Sequence, residues 1–187
     1  MQNLVNPEIK VVIINGFGGS GKDTFVKICA SLLGSTSVLN VSSVDPAKAI
    51  LREKHGWDGV DKSENWRSLL VQIKQEQIAD GDIPTNYVVE RVRNSIAKLV
   101  FIHIREAVEI GKCITRLEDL GISTTRDNLR ILLIKRPNIE VPNNTADKSV
   151  EEFEEYTDTI DNSMGLKELA IIALNFLKNW NITSRYK

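Results

Sequence analysis

Ile9-Lys10-Val11-Val12-Ile13-Ile14-Asn15 runs directly into Gly16-Phe17-Gly18-Gly19-Ser20-Gly21-Lys22-Asp23-Thr24. The first segment is short and rich in β-branched residues, which predicts a buried strand. Beyond the glycines, Phe25, Ile28, Cys29 and Leu32 fall at helical spacing and predict a helix over Thr24 to Leu33. The stretch between fits the pattern G-x-x-x-x-G-K, except that Asp23 stands where Ser or Thr is usual. A chain that wraps a phosphate points several consecutive backbone N–H groups inward, a shape that glycine adopts without steric cost. The lysine reaches the terminal phosphates, and the helix that follows offers the positive end of its dipole. An ordinary glycine-rich turn could also join a strand to a helix. It would not require a lysine at this position.

Composition narrows the setting. A chain of 187 residues fits one domain, or one domain carrying an inserted subregion. With 24 basic and 25 acidic residues there is no general positive field. No polymeric nucleic acid partner and no membrane surface is therefore expected. Cys29 and Cys113 lie far apart in helix-like segments and read as small buried apolar groups, not as a disulfide framework or a metal cluster. Met1-Gln2-Asn3-Leu4 lacks the charged start and apolar stretch of a secretory signal, and no apolar run approaches a membrane span. The expected location is the cytoplasm.

Strands and helices alternate along the rest of the chain. Ser37 to Ser42 reads as a strand, and Asp45-Pro46 as a capping carboxylate opening a helix to about Lys54. Asp61 with Glu64 resembles a capping box before a helix bearing Trp66, Leu69, Leu70, Ile73 and Ile78. Gly81 ends that helix, and Pro84 opens another with Val88, Val89, Val92 and Ile96 on one face. Leu99 to Ile104 is almost continuously apolar, as a central parallel strand would be. Glu106 to Leu120 is helical, with a stripe of Val108, Ile110, Cys113, Ile114, Leu117 and Leu120. Leu129 to Ile134 and Tyr156 to Ile160 read as the last strands, and Leu166 to Trp180 as a final helix. Five strands alternating with helices imply an α/β fold, a mostly parallel sheet covered on both faces. Ligands then bind beyond the carboxyl ends of the strands.

The loop ending Gly21-Lys22-Asp23-Thr24 resembles that of the P-loop nucleotide kinases. The likeness is to phage-type deoxynucleoside monophosphate kinases and phosphomevalonate kinases, where Asp commonly follows the lysine. Phe101-Ile102-His103-Ile104-Arg105-Glu106-Ala107-Val108-Glu109 is similar to the strand-then-Arg-Glu step of this group. Asp158 to Leu169 looks like its last strand, Asn turn and closing helix. The resemblance implies a single three-layer P-loop kinase domain over 1–187. It implies an acceptor-binding subregion at about 43–85 and a lid-like loop at about 136–150. ATP and Mg²⁺ would be the cofactors, and a small-molecule phosphate acceptor the partner.

Residue chemistry fits those roles. Gly16, Gly18, Gly19, Ser20, Gly21, Lys22 and Thr24 would hold the nucleotide phosphates, with Lys22 neutralising charge at the β- and γ-phosphates. A carboxylate beside phosphates is costly unless a cation lies between, so Asp23 reads either as a Mg²⁺ ligand or as a first-turn acid favoured by the helix dipole. Arg105, after the central strand, suits bidentate contact with an acceptor phosphate or the transferring phosphoryl group. Glu106 could hold a magnesium-bound water or orient Arg105, or the two could simply cap the next helix. Ser43, Asp45, Lys48, Arg52 and Arg67 are the polar acceptor candidates; Trp66 beside Arg67 reads as core, and Trp57 has no clear reading. Arg136 is the preferred lid residue, and the resemblance puts Asn162 near the ATP base. His103 reads as a hydrogen-bonded core histidine.

The leading expectation is ATP-dependent phosphoryl transfer to a nucleoside monophosphate, deoxynucleotides included. A kinase for another small phosphorylated metabolite, such as phosphomevalonate, is the first rival. A nucleotide-binding sensor with little turnover is the second. Asp45 discriminates among acceptors, because a hydroxyl acceptor benefits from a base and a phosphate acceptor does not. Oligomeric state stays open, a dimer included.

Overall fold

Val11, Val12, Ile13 and Ile14 are all buried, so the strand that opens the fold, β1 (Lys10–Asn15), lies inside the sheet. The structure, a computed structural model, describes residues 9–61, 63–137 and 145–182, with the side chains of 145–148 left out. After β1 come α1 (Lys22–Leu33), β2 (Val38–Ser42), α2 (Asp45–His55), α3 (Glu64–Ala79) and α4 (Ile83–Arg93). Then follow β3 (Leu99–His103), α5 (Ala107–Asp119), β4 (Leu129–Lys135), α6 (Thr145–Glu152), β5 (Asp158–Asp161) and α7 (Leu166–Asn179). The five strands are parallel throughout, in the order β2-β3-β1-β4-β5. This is a three-layer α/β arrangement, with helices on both faces of the sheet.

Alternation along β1 builds two cores. Val12 and Ile14 face α1 and α7, where Phe25, Cys29, Leu169, Ala173 and Phe176 close over them. Val11 and Ile13 face the other way, onto Val88 and Val92 of α4 and Ile110, Cys113 and Leu117 of α5. A strand with one polar face would leave one of these layers empty; a run apolar at every position fills both. Burial pushes both cysteine thiols up to about 12, which makes them inert apolar fillers at neutral pH. A smaller third cluster joins α2 to α3 through Ala47, Leu51 and Ile73, with Trp57 and Trp66 packed against it. Trp66 is therefore core, as its spacing predicts. Trp57 gains a role: its Nε1 donates to the Asp61 carbonyl (2.8 Å) and the Arg52 guanidinium lies 5.2 Å from its ring centre.

Several local expectations give way. Leu32 is exposed and Leu33 is buried, because α1 packs along the row Phe25, Cys29, Leu33 at four-residue steps. Val108 is exposed, since two residues before Ile110 is the opposite side of a helix. Ile96 is exposed because α4 has already ended at Arg93. The capping box does not form: Ser63 is the N-cap of α3, and Asp61 instead accepts from the Ser63 N–H (2.8 Å) and Oγ (3.2 Å). Asp45 is not a cap either. It sits in the first turn of α2, behind Val44, and its Oδ2 accepts the Ser42 N–H (2.9 Å). Ser37 belongs to a short 3₁₀ turn (Ser35–Ser37) before β2, and β5 starts at Asp158 instead of Tyr156. Residues 138–144 of the lid-like loop lie outside the described residues. No helix among the described residues is long and apolar enough to cross a membrane.

Candidate active site

The sheet register brings the strand ends to one rim. Ile14 pairs with His103, Ser42 with His103, Asn15 with Leu133, and Lys135 with Asp161. The glycine-rich loop leaves the centre of that rim and turns into α1. Gly16 has φ +138°, and a Cβ there would lie 2.4 Å from the Ile134 carbonyl oxygen. Gly21 has φ +102°, and its Cβ would lie 2.3 Å from Asn162 Nδ2. Gly18 and Gly19 face open space. Glycine is thus demanded at both ends of the loop, where other chain segments press on it, while its middle stays uncovered.

Lys22 reaches back across the loop, and its ammonium donates to the carbonyls of Gly16 (2.5 Å) and Phe17 (2.7 Å). The first turn of α1 carries no side-chain cap, so its leading N–H groups and dipole are available to an anion. Asp23 and Thr24 sit in that turn. Ser20 is fully buried, and its hydroxyl finds no partner among the described residues.

Two asparagines hold the loop in shape. Asn15 accepts the Gly16 N–H on Oδ1 (2.8 Å). Its Nδ2 donates to the Arg105 carbonyl (3.2 Å) and to the Tyr156 hydroxyl (3.0 Å), which in turn donates to the Val150 carbonyl (3.1 Å). Asn162 donates from Nδ2 to the Ser20 carbonyl (2.9 Å), and its own N–H donates to the Lys135 carbonyl (2.7 Å). The Asn162 amide is therefore committed to supporting the loop.

Beside the loop lies a polar cavity of about 130 Å³, lined by Asp23, Asn40, Val41, Ser42, Asp45, Lys48 and His103. Asp45 Oδ1 is 3.4 Å from the Lys48 ammonium. Ser43 is buried, and its N–H donates to the His103 carbonyl (3.1 Å). His103 Nε2 is 2.8 Å from Asn40 Oδ1. Burial pushes the imidazole down to about 4; Asp23 and Asp45 oppose this, and Lys22 and Lys48 reinforce it. A neutral ring beside an amide oxygen carries its proton on Nε2, which leaves Nδ1 as an acceptor. The unfolded chain titrates near 6.5 and binds the proton more readily than the folded one. Stability is therefore full above about pH 6.5 and is lost as pH falls towards 4. In thermal unfolding at pH 7 and pH 5, His103→Gln should narrow the difference between the two midpoints. An unchanged gap would refute the assignment.

The other predicted residues are placed unevenly. Arg105 and Arg136 both follow strands at the loop's rim, Arg136 exposed. Arg67 is exposed on the first turn of α3 and does not line the cavity. Glu106 turns to Lys74 of α3, with Oε2 2.8 Å from its ammonium. Sequence reasoning missed Asn15, Asn40, Lys74 and Tyr156 and gave His103 no place in the site. Asn15 and His103 carried a readable signal, each a polar residue closing an apolar strand.

No family model matches the chain, and no curated protein matches it in sequence. Solved structures do match. The tunicamycin resistance protein of Deinococcus radiodurans has a TM-score of 0.51 at 13% identity, over 90% of this chain and 95% of that one. TT1252 from Thermus thermophilus has 0.51 at 18%, over 91% and 97%. The Mycobacterium tuberculosis APS kinase CysC, in complex with AMPPNP and APS, has 0.48 at 14%, over 92% and 99%. At these identities the likeness to the first two is one of fold.

Proposed function

We propose that the chain is an ATP- and Mg²⁺-dependent phosphotransferase that passes a phosphoryl group to a small acceptor seated in the cavity between Asp23, Asp45 and His103. The observation that carries this reading is the contact of that cavity with the phosphate loop: Asp23 belongs both to the loop's helix and to the cavity wall. ATP phosphates would lie along the loop, on the α1 amides, with Lys22 exchanging its two carbonyl partners for phosphate oxygens.

The cavity lining favours a hydroxyl acceptor. No guanidinium lines it, and a phosphate dianion would find only the Lys48 ammonium there, whereas Asp45 can accept from a hydroxyl. Asp45 suits the base: with Oδ2 on the Ser42 N–H it keeps lone pairs for a hydroxyl. The acceptor oxygen would bond to the γ-phosphorus as the bond to the ADP oxygen breaks, and its proton would pass to the Asp45 carboxylate and then to solvent. The nucleoside monophosphate reading stays as the second, because Arg105 and Arg136 stand at the same rim and would receive a phosphate.

Asp23 would hold the metal, which leaves the Asp45 carboxylate for the acceptor proton. A single carboxylate at the start of α1 suits a cation that completes its shell with phosphate oxygens and water. When bound, Mg²⁺ neutralises phosphate charge. Such an enzyme would work in the cytoplasm. The test is ADP release from MgATP across a panel of sugar alcohols, hydroxy acids and nucleoside monophosphates. Turnover with a hydroxyl acceptor, lost in Asp45→Asn, supports the first reading. Turnover confined to monophosphates selects the second. Tight MgATP binding without acceptor-dependent ADP would leave a nucleotide sensor.

A further inference from the structure

Lys74 lies on the inward stripe of α3, where Ile73 and Gln77 are also buried. It is 6% exposed. A lysine at such a place loses its hydration and is retained only with close partners. It has two, both from the start of α5: Glu106 Oε2 and Glu109 Oε2, each at 2.8 Å. Glu109 is itself buried and pairs with the ammonium by charge, its Oε2 making no hydrogen bond among the described residues, so the hydrogen bond Lys74 makes here is the one to Glu106. Glu106 is different. Its side chain is about a third exposed, so water could serve it, yet it is held to Lys74. The residue before it is Arg105. On the other side, the Arg105 carbonyl is held by Asn15, whose Oδ1 takes the first N–H of the phosphate loop.

We infer that Lys74 is a positioning residue for Arg105: through Glu106 it fixes the Arg105 backbone from one side while Asn15 fixes it from the other. The contact chain Lys74–Glu106–Arg105–Asn15–Gly16 joins the helix of the acceptor subregion to the phosphate loop. This inference rests on the phosphotransferase reading for its consequence, although the clamp itself is a property of the ligand-free fold.

The test uses the full chain with Lys74→Met, Lys74→Arg, Glu106→Gln and Glu109→Gln. Three readouts are taken: ADP release from MgATP with the acceptor found in the panel, thermal midpoint, and amide hydrogen exchange without ligand. Lys74→Met and Glu106→Gln should each lower kcat about tenfold, with the KM for ATP within about twofold and the Mg²⁺ midpoint unchanged, as misplacement of a positioned group does. Lys74→Arg should restore most of that loss. Glu109→Gln should lower the thermal midpoint more than Glu106→Gln does, yet spare kcat. In the two damaging variants, exchange should quicken at Gly16 and around residues 105–109. A kcat that merely follows the thermal midpoint across the set overturns the inference, as does quickened exchange confined to α3. A raised Mg²⁺ requirement in Glu106→Gln alone would instead make Glu106 a metal residue. If the wild-type protein turns over no acceptor, the phosphotransferase reading fails, and the exchange pattern still decides the clamp.

Discussion

Replacing Lys22 with alanine should lower phosphoryl transfer about a thousandfold, the scale on which removing a group that stabilises transition-state charge acts. The same change should leave the ligand-free fold nearly intact. The Lys22 ammonium spans the Gly16 and Phe17 carbonyls in part-buried contacts, and losing them costs the fold only about 1–2 kcal/mol. The contrast is the diagnostic. A ligand present at about a hundred times its Kd adds about 2.7 kcal/mol to the stability of the wild-type protein. The alanine variant should show little of the corresponding rise in thermal midpoint with MgATP. Full turnover in Lys22→Ala would remove the loop from the mechanism. Full thermal stabilisation with lost turnover would move Lys22 from binding to the chemical step alone.

Gly16→Ala is the second large effect, and it acts on the fold. Its φ of +138° disfavours any side chain, and the added methyl would meet the Ile134 carbonyl at 2.4 Å and Ser20 Oγ at 2.8 Å. Ile134 is fully buried in β4, paired to β5, so its backbone cannot yield cheaply. Backbone strain and overpacking each cost roughly 1–3 kcal/mol, giving about 2–6 kcal/mol together. For a domain of this size that lowers the thermal midpoint by about 4–24 °C. Gly18→Ala is the internal control, since a Cβ there meets nothing within 4 Å. It should stay within about 0.5 kcal/mol of wild type. Equal midpoints for the two variants would show that the loop's start is not clamped by β4.

The strand, loop and first helix were legible because their signals are local. β-branched residues, glycines and a lysine at fixed spacing encode one unit, and the sheet follows from repeating strand and helix. Helix faces were less legible. Leu32, Val108 and Ile96 each fit an apolar spacing, but which row of a helix turns inward depends on the partner it meets, and a sequence window contains no partner. The site divides in the same way. Lys22 and Asp23 are named by the motif. Lys74 and Asn40 enter only when distant elements converge, since nothing near either one specifies its partner. The resemblance put Asn162 near the ATP base; its amide is bonded to the Ser20 carbonyl, a contact spanning most of the chain.

The strand order has a consequence for how this chain is made. β1 is synthesised before every other strand, yet its two neighbours are β3 and β4. Its nearest pairing in sequence, Lys10 with Leu99, spans about half of the chain. A polypeptide growing from its N-terminus must therefore extend past His103 before β1 has any sheet partner. Until then Val11 to Ile14 remain an exposed apolar ribbon with open edges, the kind of segment that aggregates. The glycine-rich loop cannot take shape earlier, because the segments pressing on Gly16 and Gly21 come from β4 and the turn after β5. The first motif to be written is among the last to be assembled, which puts this protein among the slow, non-local folders.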